Sequence, residues 1–493
     1  MKKIYIYTLA GLMLWGASSC KKPNDFGTTN LDPSATTKPI VSALLASVMS
    51  GVGGYASTNA YAIGPGAYAQ YFSETQYPGT SLYTLPNTDF TGSYNGSLYD
   101  LQNVINLNQD KNSVAVAKIL QSYIFWVLTD SYGDIPYSQA LQGIKVITPA
   151  YDKQEDIYKG LLTTLSSAVA SMDGGTVQGD LIYGGDAASW KRAANSLSML
   201  IAIQASKASD NAFAKAAFTA AMNAGPITTN AQNFAVVYPG STYSSPWYNL
   251  YNGRTDWAES KTVTDTTSAY NDPRTNPFGG SFSDPAQTTG GTVTSNVGVP
   301  YGLGRTAVTA FTAANPTWAL VLRADLRVTT AATSRVTIVS AAQVALAEAE
   351  AANIGWIDGG TLATSYANGI ALSFAQWGVS NPGYATGPKV AISAAGSPDN
   401  ERRIATQQWL ASYPDGHMGW DIFRKTGFPN LTPAPAASNS SGEIVRRFVY
   451  ASSEYTTNQA SVQAAVAREK GPNPGVDSQD NWVWWDIGKG QHK

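Results

Sequence analysis

Apolar residues recur at helical spacing through much of the chain. They fall every three or four positions at 114–128 and again at 157–172, and an alanine-rich stretch occupies 341–353. Asp186 is placed to cap a further helix. We therefore predict a mainly α fold of helix pairs joined by short polar turns. No clean period of about 34 residues is visible, so the array is degenerate and tetratricopeptide-like rather than a matched repeat.

Residues 226–331 break this pattern. Gly, Ser, Thr, Asn and Pro dominate there, with short β-prone pieces at 234–238 and 321–328. This composition predicts a loop-rich excursion with small β-hairpins. Because the segment also carries several Trp and Tyr residues, a functional loop is favoured over a disordered linker.

The amino terminus has the composition of an export signal. Lysines precede a short apolar stretch within 1–19, which ends in small residues immediately before Cys20. We predict a signal peptide at 1–19, lipidation of Cys20, and a polar tether at 20–39. The alternative is a plain secretory signal with Cys20 as a buried free thiol. Residues 40–493 are predicted to form a single domain.

Composition narrows the possible partners and chemistry. The net charge is −2 and only 13% of residues are charged, where an ordinary domain has roughly 25%. Nucleic-acid binding, which needs clustered positive charge, is therefore disfavoured. The single cysteine and two histidines leave little for metal centres, so we predict no cofactor and assign no metal ligands, and the sequence does not decide whether a structural metal is bound. His417 follows Asp415-Gly416 and is expected in a surface turn or a cap.

The sequence offers only weak candidates for a catalytic site. The carboxylate pairs Asp130/Asp134 and Glu348/Glu350 could be proposed for hydrolysis, but the first fits turn capping and the second points to different helix faces. Neither G-x-S-x-G nor G-x-x-x-x-G-K-[ST] occurs. We predict a protein that is not an enzyme.

One run of residues is similar to a family signature. Residues 128–137 (LTDSYGDIPY) resemble the "TDxYGDIPYSEAL" signature of SusD/RagB-type outer-membrane lipoproteins. Five further segments resemble motifs of that family in the expected order: WKRAANSL at 190–197, DPR at 272–274, ALAEAEA at 345–351, WDIFRKTGFP at 420–429, and RRFVY at 446–450 with SEY at 453–455. The resemblance fits best with the branch called SusD-like 2.

This resemblance implies a fold and a role. The fold is the mainly α SusD-like fold with tetratricopeptide-like helix pairs, in which the shared motifs serve packing. The role is a surface-exposed, lipid-anchored outer-membrane protein that binds glycan and delivers it, uncleaved, to a SusC-type TonB-dependent transporter. A peptide-binding member of the same transport system is the first alternative. An anchored glycoside hydrolase and an adhesive surface protein are further alternatives.

Two aromatic clusters suggest where a neutral ligand binds. Sugars present CH faces that stack on aromatic rings and hydroxyls that need polar partners. Residues 68–99 and 238–257 are rich in such rings, mixed with Gly, Pro, Ser, Thr and Asn, which favours exposed loops. From these clusters we select five candidate ligand-binding residues: Tyr77, Tyr83, Phe90, Trp247 and Tyr251.

Overall fold

Helices make up most of the computed structural model, which describes residues 39–84, 88–240, 243–329 and 334–491. The predicted signal peptide, Cys20 and the tether up to residue 38 lie outside these ranges. Their boundaries therefore stay predictions. The described residues from Val41 onward form one compact unit.

The longer helices are numbered in chain order. They are α1 (Val41–Val52), α2 (Ala60–Tyr68), α3 (Tyr99–Leu107), α4 (Lys111–Tyr132), α5 (Gln154–Ser171), α6 (Ala187–Gln204), α7 (Ala212–Asn223), α8 (Lys261–Tyr270), α9 (Arg305–Ala314), α10 (Ala341–Asn353), α11 (Leu362–Gln376), α12 (Pro398–Ser412), α13 (Gly416–Thr426) and α14 (Gln459–Val466). Shorter helical segments are Thr91–Ser93, the π-helical Tyr94–Leu98, Pro246–Tyr251, Thr275–Phe278 and Glu454–Thr457. Single 3₁₀ turns occur at Gly53–Ala56, Gly143–Lys145, Ala205–Lys207, Asn230–Gln232, Ala324–Leu326, Gly359–Thr361 and Tyr384–Thr386.

Eight short strands form four separate antiparallel pairs in the described part of the chain. They are β1 (Phe72–Glu74) with β5 (Trp257–Glu259), β2 (Ile135–Pro136) with β3 (Tyr151–Asp152), β4 (Phe234–Val236) with β8 (Val336–Val339), and β6 (Gly279–Ser281) with β7 (Ala319–Val321). The pairs are small, as expected, but each joins segments that are well separated in the chain. None of them is a tight hairpin.

Local sequence explains where the main helices begin and pair. The Asp110 carboxylate accepts from Ser113 N at 2.7 Å and starts α4, and Gly133, with φ of 86°, ends it. Asp186 caps α6, as its sequence position predicts. Consecutive helices then pack as neighbours, α4 on α5, α6 on α7 and α10 on α11. The mainly α prediction with tetratricopeptide-like pairs is confirmed.

The segment 226–331 is more regular than predicted. It contains α8, α9, two shorter helices and the strands β4 to β7. Its polar composition does not predict these helices and strands, because packing on distant parts of the chain determines them.

The motif residues lie in the core. Trp190 is fully buried, and four arginines of the later motifs are buried beside acidic partners. The pairs are Asp272–Arg274, Asp421–Arg424, Arg446–Asp486 and Arg447–Asp477. Buried charges require such partners. These motif residues therefore contribute to the packing of the core.

Candidate functional site

The five predicted ligand-binding residues divide into one exposed and four buried side chains. Tyr77 is 69% exposed, whereas Tyr83, Phe90, Trp247 and Tyr251 are at most 3% exposed. A buried ring offers no face on which a sugar can stack. The ligand-binding role of all five stays a prediction, and only the Tyr77 ring is accessible in this structure.

Each of the four buried rings has a packing role. The hydroxyl of Tyr83 accepts from Ala434 N at 3.1 Å, and that of Tyr251 accepts from Val321 N at 2.8 Å. Phe90 and Trp247 are likewise members of the main hydrophobic core. The local composition predicted exposed loop positions for these rings, because the residues that bury them lie far away in the sequence.

The pairing of β1 with β5 brings the two aromatic segments together. Glu74 pairs with Trp257, so the loop that follows β1 lies beside the loop that precedes β5. Thr75 N donates to Asp256 O at 2.8 Å across this junction. The Glu74 carboxylate accepts from Ser81 N at 2.7 Å and fixes the turn that carries Tyr77.

Two guanidinium groups flank the exposed ring. The Cζ atoms of Arg254 and Arg305 lie 5.7 and 5.9 Å from the centroid of the Tyr77 ring, within cation–π range. Arg254 Nε donates to Asp256 at 2.6 Å, and Arg305, the first residue of α9, donates to Gln76 O. We call these five residues, Gln76, Tyr77, Arg254, Asp256 and Arg305, the Tyr77 platform.

The chemistry of the Tyr77 platform fits a polyhydroxylated ligand. The phenol ring supplies an apolar face, the guanidinium groups supply hydrogen-bond donors, and Gln76 and Asp256 supply acceptors. Asp256 is the one carboxylate among its five residues. The platform itself therefore has no second carboxylate for an acid–base pair.

A groove between α3, α4 and α5 is a second possible site. It has a volume of about 520 Å³ and is lined by residues that include Tyr99, Gln102, Asn106, Gln121 and Tyr137. Two of its amide side chains are already hydrogen-bonded to each other, since Gln102 Nε2 donates to Asn106 Oδ1 at 2.9 Å. We call these five residues the Tyr99 groove.

A buried acid lies on β5, the strand that leads away from the Tyr77 platform. Glu259 is fully buried, and neither carboxylate oxygen has a hydrogen-bond partner among the described residues. Burial raises the pKa of Glu259 well above its ordinary value because it disfavours the charged form. The raised pKa favours the neutral, protonated form of Glu259.

Replacing Glu259 with glutamine is expected to flatten the dependence of stability on pH. Unfolded Glu259 loses its proton near its ordinary pKa, whereas the folded protein retains it. The stabilisation is complete below the ordinary pKa and is lost as pH rises through the raised one, by up to about 1.4 kcal/mol per pH unit. Urea unfolding of both proteins between pH 5 and 8 measures this difference.

The control for this experiment is Glu155→Gln, a substitution on the surface of α5. Its free energy of unfolding is expected to stay within about 1 kcal/mol of the wild-type value, because the ion pair of Glu155 with Lys159 is partly exposed. If the Glu259→Gln protein also followed the wild-type curve, Glu259 would not be the neutral acid described here.

His417 does not lie where the sequence predicts. It is in α13 rather than in a surface turn, and it is 1% exposed. Asp415 caps that helix by accepting from Met418 N, so Asp415-Gly416 is a helix start. The ring faces Asp130 and Asp421, which form with it the one group of three potential metal ligands found among the described residues.

None of the helices in the described ranges is both long and apolar enough to cross a bilayer.

The architecture is mainly helical and carries the exposed Tyr77 platform at its surface, and sequence comparison gives the family. Residues 33–451 match the SusD-like 2 family, described as "Starch-binding associating with outer membrane". The chain belongs to this family. The family assignment predicted from the six motifs is therefore confirmed.

Solved structures of related proteins agree with this assignment. A chitin-binding protein, 25% identical, matches over 92% of this chain and 100% of its own, with a TM-score of 0.72. A SusD-like protein from Bacteroides thetaiotaomicron (23% identity, 91% of this chain and 99% of that one) has a TM-score of 0.76. A chitin-binding SusD homolog from Flavobacterium johnsoniae (24% identity, 91% and 99%) has a TM-score of 0.75. A comparison with curated proteins finds no match.

Proposed function

We propose that this protein binds glycan chains at the Tyr77 platform without cleaving them. The observation that carries the proposal is an exposed ring flanked by two guanidinium groups on a SusD-like fold. The family description names starch, and a related structure is a chitin-binding protein. Glucan and chitin oligosaccharides are therefore the ligands to test first.

The proposal includes a place in the cell. The protein is anchored in the outer membrane by acyl chains on Cys20, faces outward, and passes its ligand to a SusC-type TonB-dependent transporter. The association of the family with the outer membrane supports this. A β-barrel protein should co-purify after solubilisation of the outer membrane in detergent, whereas a lone monomer after mild crosslinking would count against the partnership.

Replacing Tyr77 with alanine is expected to weaken glycan binding about tenfold. Removal of the ring deletes the stacking surface, which is worth about 1.4 kcal/mol. The measurement is isothermal calorimetry with chitohexaose and maltoheptaose on the mature protein. Tyr77→Phe keeps the ring face and should retain affinity within about twofold, because stacking depends on the ring.

Two further tyrosine variants serve as controls. Tyr243 is 52% exposed and lies outside the Tyr77 platform, so Tyr243→Ala should leave affinity unchanged. Tyr99→Ala tests the Tyr99 groove. If Tyr99→Ala abolished binding while Tyr77→Ala did not, the ligand site would belong to the groove and the assignment to the Tyr77 platform would be wrong.

The alternatives make different predictions in the same preparation. A glycoside hydrolase would release reducing sugar from polysaccharide, whereas a binding protein is retarded in an affinity gel and releases none. A peptide-binding member of the transport system would show heat of binding with peptides and none with either oligosaccharide.

A further inference from the structure

Three side chains of metal-ligand type meet inside the protein, away from the Tyr77 platform. His417 and Asp421 lie one helical turn apart on α13, and Asp130 lies near the end of α4. His417 Nε2 is 3.2 Å from Asp421 Oδ2 and 3.8 Å from Asp130 Oδ2. All three side chains are at most 1% exposed.

The atoms that face one another in this cluster have no hydrogen-bond partners. Asp130 Oδ1 accepts from Tyr158 OH at 2.5 Å and from Trp485 Nε1 at 2.9 Å. In contrast, Oδ2 of Asp130, Oδ2 of Asp421 and both ring nitrogens of His417 are buried and unpaired within the described part of the chain. Unpaired buried polar atoms are rare in proteins, and three of these four, His417 Nε2 and the two Oδ2 atoms, lie close together, which indicates a missing ligand.

The charge of the cluster indicates that this ligand is positive. Arg424 donates to Asp421 Oδ1 and neutralises one carboxylate. The second carboxylate, that of Asp130, has no Lys or Arg ion-pair partner among the described residues, and only His417 lies near it, so a bound cation would supply its counter-charge. His417 Nε2 does not supply it, because it makes no hydrogen bond to either carboxylate despite its proximity.

We propose that Asp130, His417 and Asp421 bind a divalent transition metal of the zinc class. Zinc takes His nitrogen and Asp oxygen at about 2.0–2.2 Å in a tetrahedron, which places neighbouring donor atoms about 3.4 Å apart. The two N–O separations of 3.2 and 3.8 Å bracket this value. One donor atom from each residue lies within 4.8 Å of the others. A water molecule completes the tetrahedron.

Neighbouring side chains hold the two carboxylates in place. Tyr158 and Trp485 hold the second oxygen of Asp130, and Arg424 holds that of Asp421, so both carboxylates are oriented towards the centre. The metal joins α4 to α13, two helices distant in the chain. It shares no residue with the Tyr77 platform, so its effect is expected on stability rather than on glycan affinity.

The test uses the mature full-length protein, dialysed against EDTA and then desalted. Addition of Zn²⁺ alone should restore about one zinc per chain by mass spectrometry and raise the melting temperature by several degrees. His417→Gln should lose both effects. The matched control is Glu350→Gln, which changes a buried acid of α10 that pairs with Lys425. It should keep the stoichiometry.

A second measurement on the unmodified protein covers the case in which His417→Gln fails to fold. X-ray absorption at the zinc edge should show a coordination shell of oxygen and nitrogen donors with a single imidazole. The proposal is overturned if wild-type protein binds no zinc and its melting temperature does not respond. It is equally overturned if folded His417→Gln keeps its zinc, or if nitrogen NMR shows both His417 nitrogens protonated, because a proton then supplies the positive charge.

Discussion

Replacement of Arg274 with methionine is expected to lower the free energy of unfolding by about 3–5 kcal/mol. Arg274 is fully buried and donates to both oxygens of Asp272, through Nε at 2.9 Å and Nη2 at 2.6 Å. It also donates to Ser373 Oγ and Gln407 Oε1, each at 2.9 Å. Methionine fills part of the volume but leaves the Asp272 carboxylate buried without its counter-charge.

The direction in which the pKa of Asp272 is shifted agrees with a stabilising role of Arg274. Burial alone raises the pKa of that carboxyl, but the charge and hydrogen bonds of Arg274 outweigh burial and hold it below its ordinary value. Urea unfolding measures the loss. Adding Asp272→Asn to Arg274→Met should recover part of it, because the uncompensated charge is removed.

The control for Arg274 is an exposed ion pair. Lys261 and Asp265 are both more than half exposed on α8, and Lys261→Met should cost less than about 1 kcal/mol. Equal losses from Arg274→Met and Lys261→Met would contradict the view that the buried pair stabilises this region.

Replacement of Trp420 with alanine is expected to lower the free energy of unfolding by about 3–5 kcal/mol. The indole is fully buried, its Nε1 donates to Val445 O at 2.7 Å, and its ring centroid lies 5.5 Å from that of Tyr68. Arg424 Cζ lies 3.5 Å from its centroid. Alanine leaves a cavity and leaves the Val445 carbonyl without its donor. Both effects lower the stability, and thermal unfolding measures their sum.

Trp356→Ala is the matched variant for this prediction. Trp356 is only half-buried, with its ring centroid 6.0 Å from that of Phe218, so its removal should cost clearly less. A Trp420→Ala protein as stable as Trp356→Ala would mean that the core rearranges around the deleted indole.

Local patterns predicted much of the helical framework. The apolar spacing at 114–128 lies within α4, and the alanine-rich stretch at 341–353 coincides with α10 (Ala341–Asn353). Asp186 caps α6 where its position indicates. These features depend on residues three or four positions apart, and such short-range patterns can be read directly from a sequence.

Features that depend on distant contacts could not be predicted in the same way. Tyr83 is buried because residues around Ala434 cover it, and Tyr251 because β7 supplies its hydrogen-bond donor. His417 was expected at the surface because Asp415-Gly416 resembles a turn, yet Asp415 starts a buried helix. Tyr77 stays exposed because its turn follows β1 and lies at the edge of the core.

A crystal structure of the protein with chitohexaose tests directly whether a sugar lies against the Tyr77 ring. We expect an intact oligosaccharide with one pyranose face parallel to the phenol, carbon atoms about 4 Å apart, and hydroxyls bonded to Arg254 or Arg305. An ordered sugar in the Tyr99 groove with the Tyr77 ring bare, or a cleaved product, would contradict the proposed binding of uncleaved glycan at the Tyr77 platform.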